Sequence, residues 1–387
     1  MLARHVNLTS VPDAVRDKAD PGMRVVVGVS GGVDSSVAAM LLAHAGYEVS
    51  GLFMKNWDEN GAGLPENSPC TAAEDMKDAL HVCERLGVAL DGEDFSGAYR
   101  DRVFGYFLAE HTRGRTPNPD ILCNKEIKFK VFLEHALTRG ADRIATGHYA
   151  RTDCVDGRYR LLKARDLNKD QSYFLYTLGQ RELAATIFPL GELTKTEVRR
   201  LAREAGLENH AKRDSTGICF IGERDFAGFL RHYFPALPGE MRTPEGEYIG
   251  THQGLMFHTI GQRQGLGLGG SRGRSGEPWF VVGKNLKQNV LIVAQGHEHP
   301  LLYSTSLTAT HLHWVARQAP ASPVRCGAKI RYRQADQSGE VTLTGLDQCR
   351  VVFDAPQRAV TPGQSIVFYQ GDECLGGGII DEPTNHV

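Results

Sequence analysis

The chain has 387 residues, of which 41% are hydrophobic, and a formal net charge of −2. That length accommodates two or three domains with substantial cores, and the near-neutral balance excludes a general attraction to polyanions, so a nucleic acid would have to be met by local basic patches. No apolar run approaches the roughly 20 residues that span a bilayer, and eight cysteines, at 70, 83, 123, 154, 219, 326, 349 and 374, show neither C-x-x-C spacing nor the density of a secreted scaffold.

The opening segment, MLARHVNLTSVPDAVRDKADPG, lacks the uninterrupted apolar centre of a secretory signal, and Asp13, Asp17 and Asp20 argue against a transit peptide. Residues 1–22 therefore read as a tail, with Met23 a candidate functional start. The expected location is the cytoplasm, where most of the cysteines would be buried thiols. From Met23 to about Gly147 short apolar strands alternate with helical stretches: RVVVGV, SSVAAMLLAHAG, EVSGLFM, AAEDMKDALHVCERLG, KFKVFLEHALTRG and DRIATGHY. This is the rhythm of an α/β domain whose parallel sheet is covered by helices. Gly46, Gly87 and Gly140 stand where helix ends call for a left-handed residue. A further helix, TKTEVRRLAREAGL, extends the domain to about Ser215, giving residues 23–215.

From 216 to 288 glycine and proline are frequent and helical periodicity is confined to RDFAGFLRHYF, which predicts a small middle domain. From 289 to 387 short alternating runs, NVLIVA, AKIRYR, EVTLTG, RVVFD and SIVFY, predict a compact antiparallel β-barrel.

Within the first strand-to-helix transition, VVVGVSGGVDSS, Ser30, Gly31 and Gly32 form a turn whose backbone amides point outward where a helix begins. Unpaired N–H groups and the positive end of the helix dipole make such a turn an anion site. Ser30, Ser35 and Ser36 add hydroxyls, and Asp34 either caps the helix or holds a metal. The motif has no lysine, so it is not the G-x-x-x-x-G-K-[ST] loop. A blander reading is that the glycines only allow tight packing. The full SGGVDSS resembles the PP-loop signature of enzymes that split ATP between the α and β phosphates to activate a carbonyl oxygen.

Two further stretches place cysteines in polar, loop-like settings. In GRTPNPDILCNKEIKFK two prolines stiffen a loop, Asn118 and Asp120 present polar groups, and Cys123 follows at a helix start near Lys125 and Lys128, which favour a thiolate. In DSTGICFIGERDF, Cys219 follows Thr216 and Gly217. Either cysteine taken alone reads equally as a buried thiol.

Together, SGGVDSS, GLFMKNW, GRTPNPDILCNKEIKF, ATGHY, NKDQSYFLYTL, DSTGICFIGER and TPGQS closely resemble the bacterial tRNA-specific 2-thiouridylases, from Met23 to about Ile380. The resemblance implies ATP-dependent replacement of the C2 oxygen of the wobble uridine of tRNA by sulfur. It also implies Mg2+ at the departing pyrophosphate, and sulfur brought by a persulfide-carrying relay protein fed by a cysteine desulfurase. Gly28, Val29, Ser30, Gly31, Gly32, Val33, Asp34 and Ser35 would hold ATP, with Met54 and Gly147 beside the base or admitting close approach; the last two are equally readable as core. Val29 stands where many members have methionine. Cys219 matches the persulfide carrier, Cys123 the thiol that closes a disulfide with it, and Asp120 a general acid or base, or a group that orients the base.

The target base would leave the anticodon-loop stack. Asn118, Pro119 and Asp120 match the segment that meets it, and His148, Lys169, Asp170, Gln171, Arg331, Tyr332 and Gln364 match tRNA-contacting positions. Arg325, Lys329, Arg331 and Arg333 form a basic run without a carboxylate, suited to phosphate contacts unless it is simply a solvated face. The pairs His297 with His299 and His311 with His313 would each share a strand face; lacking carboxylate or cysteine companions they do not read as a metal site. Cys70 and Cys83 read as structural. A different PP-loop activity, or a binding module that has lost catalysis, would leave Cys123 and Cys219 without a role.

Overall fold

The computed structural model describes residues 22–58, 71–214, 226–268 and 276–384. Alternating buried valines make the first strand, Arg24–Gly28 (β1), and the chain then enters helix Val33–Ala45 (α1), whose apolar side chains are buried nearly all round. Strand Glu48–Lys55 (β2), helix Thr71–Leu86 (α2) and strand Ala89–Asp94 (β3) follow. A helix over 96–112 (α3) and another over 119–138 (α4) cover the other face, each with a wide π-helical stretch, Arg100–Phe104 and Asn124–Val131. Strands Arg143–Ala145 (β4) and, later, Thr186–Ile187 (β7) complete a parallel sheet in the order β3-β2-β1-β4-β7. The chain moves outward from β1 to β3 and then returns to the opposite side of β1. The β1–β4 crevice, at the strands' carboxyl ends, is thus the switch point where α/β sheets bind ligands. Gly46, Gly87 and Gly140 all have positive φ, as helix ends require.

Between β4 and β7 lies a hairpin, Arg151–Val155 (β5) and Arg158–Leu162 (β6). A short strand pair, Gly239–Arg242 (β8) and Tyr248–His252 (β9), joins Trp279–Asn285 (β10) and Val290–Gln295 (β11) in a four-stranded sheet, β10-β11-β8-β9. The sequence assigns residues 289 onward, and with them NVLIVA, to the barrel, but β11 pairs antiparallel with β10 and parallel with β8, so the expected boundary cuts through a hairpin of the middle sheet.

Six strands form the C-terminal barrel: Tyr303–Trp314 (β12), Val324–Lys329 (β13), Gln337–Gly345 (β14), Gln348–Arg358 (β15), Ser365–Gln370 (β16) and Glu373–Thr384 (β17). Pairing of β12 with both β15 and β17 closes it, and β17 also pairs with β6, so the β5–β6 hairpin of the first domain extends the barrel's sheet. One apolar core runs across this junction, with Phe132, Ile144 and Leu161 in the same cluster as Val367, Tyr369 and Cys374.

Two sequence expectations fail locally. The basic run is not an open stripe: Arg325 pairs with Asp354, Lys329 is buried beside Asp170 and Asp336, and Arg331 donates to the carbonyls of Arg358 and Ala359. Its carboxylates come from elsewhere in the chain. The histidine pairs do not share faces either. His299 precedes β12 as the cap of a short turn, and a register shift with positive φ at His311 leaves that ring exposed near Asp347 while His313 turns toward the carbonyl of Leu178.

Candidate active site

Gly31 adopts φ +75°, and a Cβ there would lie 2.3 Å from the carbonyl oxygen of Asp75, so α2 and the backbone conformation both require glycine. Gly32 is the N-cap of α1, with no side-chain cap among the described residues. The first amides of a helix have no intrahelical acceptor, so this turn retains donors for an anion. The serines brace the turn from within: Ser35 Oγ accepts from Ser30 N at 3.1 Å and donates to Gly32 O at 3.1 Å, and Ser36 Oγ donates to Gly32 O at 2.8 Å. From outside, buried Asn209 donates to Gly31 O and Ser36 Oγ, both at 2.9 Å. Val29 is buried and passes its N–H to Leu52 O, so its side chain faces the core. Val33, the first helical residue, is buried too.

The end of β4 meets this turn directly. A Cβ on Gly147 would stand 2.7 Å from Ser35 N, so only glycine leaves that amide uncovered. Beside it, Met54 Cε lies 3.0 Å from where a Cβ on Gly28 would be, which places the thioether at the carboxyl ends of β1 and β2. His148 is buried, shares a 2.8 Å hydrogen bond with Thr146 Oγ1 and packs 5.6 Å from the Phe129 ring on α4; burial holds its pKa well below the usual value.

Asp34 carries a cluster the motif did not announce. Its Oδ1 accepts from Tyr149 Oη at 2.8 Å, and Lys195 Nζ donates to Oδ1 at 2.7 Å and Oδ2 at 2.8 Å. The same ammonium lies 2.6 Å from Asp214, which also takes Lys169 Nζ at 2.5 Å and Arg199 at 3.2 Å. Burial alone would raise the Asp214 pKa; the bonds from Lys169 and Lys195 hold it below the ordinary value. Lys195 opens helix Lys195–Glu204 (α5), fixed by a Thr194–Glu197 capping box and by Lys195 N donating to Asp166. That box was the available sequence signal. A helix starting after β7 lies at the carboxyl edge of the sheet, on the side of the glycine turn.

α4 carries the second segment. Asn118 is its N-cap, accepting from Asp120 N and Ile121 N, and Pro119 takes the first helical position. Asp120 follows, its carboxyl pKa raised by burial, an effect the nearby charge of Lys128 partly offsets. Cys123 is 1% exposed, one turn along. The loop before Asn118 is clamped by both other domains: Thr116 N donates to Pro362 O, Gln364 Nε2 to Thr116 O, Lys284 Nζ to Gly114 O, and Arg115 pairs with Glu110 and Asp381. A cavity of about 250 Å3 opens between α4 and the barrel beside Asn118, Leu122 and Lys125; Asp120 and Cys123 do not line it. Another, of about 460 Å3, shares Asn209 with the glycine turn but faces α2.

The remaining sequence-predicted residues join these elements. Buried Asp170 accepts from Ala164 N and from both Ser172 N and Oγ; Gln171 accepts from Tyr149 N; Tyr332 Oη donates to Lys169 O. Gln364, Asp170 and Gln171 are thus occupied within the protein. Buried Cys83 has its thiol pKa pushed up to about 11, as a structural cysteine should. Cys219 and Cys70 lie outside the described residues.

A glycine turn with open helix amides at the switch point of a five-stranded parallel sheet, without a loop lysine, is the arrangement of the PP-loop class of α/β proteins. Family models match along the chain: a tRNA methyl transferase HUP domain over 23–223, a tRNA methyl transferase PRC-barrel domain over 227–295 and an aminomethyltransferase β-barrel domain over 304–380. The chain is 62% identical over 357 residues to the tRNA-specific 2-thiouridylase MnmA of Nitrosococcus oceani, covering 92% of this chain and 96% of that one. It is 58% identical over 366 residues to the protein of the same name from Geobacillus thermodenitrificans, covering 95% and 96%. A solved U34-tRNA thiolase from Methanococcus maripaludis matches at 20% identity and TM-score 0.37 over 55% of this chain and 66% of that one, a distance at which nothing is carried over. The chain belongs to the tRNA-specific 2-thiouridylase family.

Proposed function

We propose that the chain is a sulfurtransferase that activates the C2 oxygen of the wobble uridine of tRNA as an adenylate and replaces it with sulfur drawn from a persulfide on Cys219. ATP-dependent thiolation of a tRNA uridine follows from the family. The chemical course is our reading. A uracil oxygen is a poor leaving group, and bonding it to AMP, with pyrophosphate expelled, makes it a good one. The turn from Gly28 to Ser35 holds the phosphates, and Met54 and Gly147 border the nucleotide.

Asp34, the carboxylate at the phosphate turn, would hold Mg2+ together with substrate phosphates once the Lys195 ammonium now on both its oxygens has turned away, since magnesium is commonly held by one or two carboxylates and phosphate oxygens. When bound it would neutralise the departing pyrophosphate.

The terminal sulfur of the Cys219 persulfide bonds to C2, and the C2–O bond breaks to release AMP. Cys123 thiolate then attacks Sγ of Cys219; the S–S bond to the substrate breaks, leaving 2-thiouridine and a Cys123–Cys219 disulfide that an external thiol reductant reopens. Asp120, whose carboxyl pKa is raised by burial, moves the proton on the uracil. Asn118, Pro119, His148, Lys169, Arg331 and Tyr332 surround the extruded base and its neighbouring phosphates, with Asp170, Gln171 and Gln364 holding those segments in place. The sulfur reaches Cys219 from a relay protein in the cytoplasm. Among the described residues no helix is long and apolar enough to cross a membrane.

One observation carries this reading. Asp214, five residues before Cys219 in the sequence, is 2.6 Å from the lysine that grips Asp34 at the phosphate turn. That closeness in sequence supports assigning the sulfur carrier to the nucleotide site. Cys219→Ser tests it: thiolation should vanish while tRNA-stimulated pyrophosphate release persists, and retained 2-thiouridine would overturn the assignment.

A further inference from the structure

The SGGVDSS turn has no cation of its own, yet it must hold a polyphosphate. Among the described residues, a cation that reaches it directly is Lys195, 161 residues from Asp34 in sequence, whose Nζ bonds both oxygens of Asp34 and one of Asp214. Three acceptors use the three protons of an ammonium, and the side chain is only 12% exposed, so it sits ready in one place rather than sweeping through solvent. Its backbone is fixed as well, by the capping box of α5 and the bond to Asp166.

We infer that Lys195 supplies the phosphate-binding cation the loop omits, exchanging Asp34 for the pyrophosphate end of ATP. This rests on the nucleotide-site reading of the turn. The surroundings are arranged so that the exchange strands no charge. When Lys195 turns away, Asp34 keeps the Tyr149 hydroxyl, and Asp214 keeps Lys169 and Arg199. Removing a partner from a buried carboxylate is otherwise costly. The preference for the pyrophosphate end follows from competition: two carboxylates hold the ammonium, and a terminal polyphosphate carries enough charge to displace one of them, where the single phosphate of AMP offers less.

The test is calorimetric titration of the full-length protein with ATP, inorganic pyrophosphate and AMP. Lys195→Met should weaken ATP and pyrophosphate binding about thirtyfold, the loss of one charge-assisted hydrogen bond, and change AMP binding by less than about threefold. Lys195→Arg should restore most of the loss. Equal weakening of AMP and ATP would mean that the lysine only organises the turn, and no change in either would remove it from the site; both results overturn the inference. A wild-type protein that binds neither ATP nor pyrophosphate would instead overturn the nucleotide-site reading beneath it. Should Lys195→Met fail to fold, Asp214→Asn carries the test. Removing a competing carboxylate should tighten pyrophosphate binding severalfold, and weakening would refute the exchange.

Discussion

Gly147→Ala is the perturbation whose consequence can be worked furthest from the geometry. The added methyl would lie 2.7 Å from Ser35 N, 2.8 Å from the carbonyl carbon of Asp34 and 3.1 Å from Ser35 Cα, all backbone atoms that no rotamer change can move aside. Either the end of β4 shifts from the N-terminus of α1 or the methyl covers the Ser35 amide. Covering that amide removes a hydrogen bond to a charged phosphate, about 2 kcal/mol, and part of the overpacking strain, about 1 kcal/mol, reappears as distortion of the turn. Together, about 3 kcal/mol corresponds to about a hundredfold loss in ATP affinity. The assay is ATP titration by calorimetry, with far-UV circular dichroism and tRNA binding as controls for the fold. An ATP dissociation constant within about threefold of wild type, in a folded protein, would refute the placement of the Ser35 amide at the phosphates.

Arg115→Ala should lower tRNA affinity more than ATP affinity, because it frees the loop before Asn118 from the barrel; it leaves Glu110, whose side chain is 5% exposed, with Arg113 alone and should cost about 2 kcal/mol in urea unfolding. Equal losses of both affinities would contradict the loop's assignment. Lys284 has its pKa lowered by burial from 10.5 to about 8, so its contribution to stability is complete above pH 10.5 and is lost as pH falls through 8. That shift is worth at most about 3 kcal/mol; Lys284→Met should therefore raise the melting temperature at pH 7 and give no gain near pH 10.5, and a gain that is the same at both would exclude the ionisation as its cause. His111 and His258 are each held by burial at about 4, so the fold should lose stability as pH falls from 6.5 toward 4, and His258→Phe should blunt that loss in acid melting curves. An acid transition unchanged by the substitution would assign it to other groups.

What the sequence made legible is local. The glycine turn and the strands on either side of it depend on residues a few positions apart, and the structure has them where the pattern predicts; the helix carrying Cys123 begins earlier than expected, at Asn118 and Pro119, because Asn118 caps it and proline is tolerated at its first position. The misreadings share a long-range cause. Lys195 escaped notice because its partner lies 161 residues away, although the capping box at Thr194 marks the helix start that delivers it. The basic run over 325–333 looked open because Asp354 and Asp170 come from other elements and Asp336 lies just past its end. The hairpin at 151–162 alternates like any surface pair, and nothing local reveals that β6 extends the barrel's sheet through β17. The same holds for Gln364, whose amide is used on Thr116 O across a separation of 248 residues.

The proposed chemistry turns on the uracil oxygen leaving as part of AMP. Transfer RNA carrying a heavy-oxygen label at C2 of the wobble uridine, incubated with the enzyme, ATP and a persulfide donor, should yield labelled AMP, one equivalent per 2-thiouridine formed, with unlabelled pyrophosphate. Label recovered in water or inorganic phosphate, or 2-thiouridine formed with ADP as the nucleotide product, would contradict it.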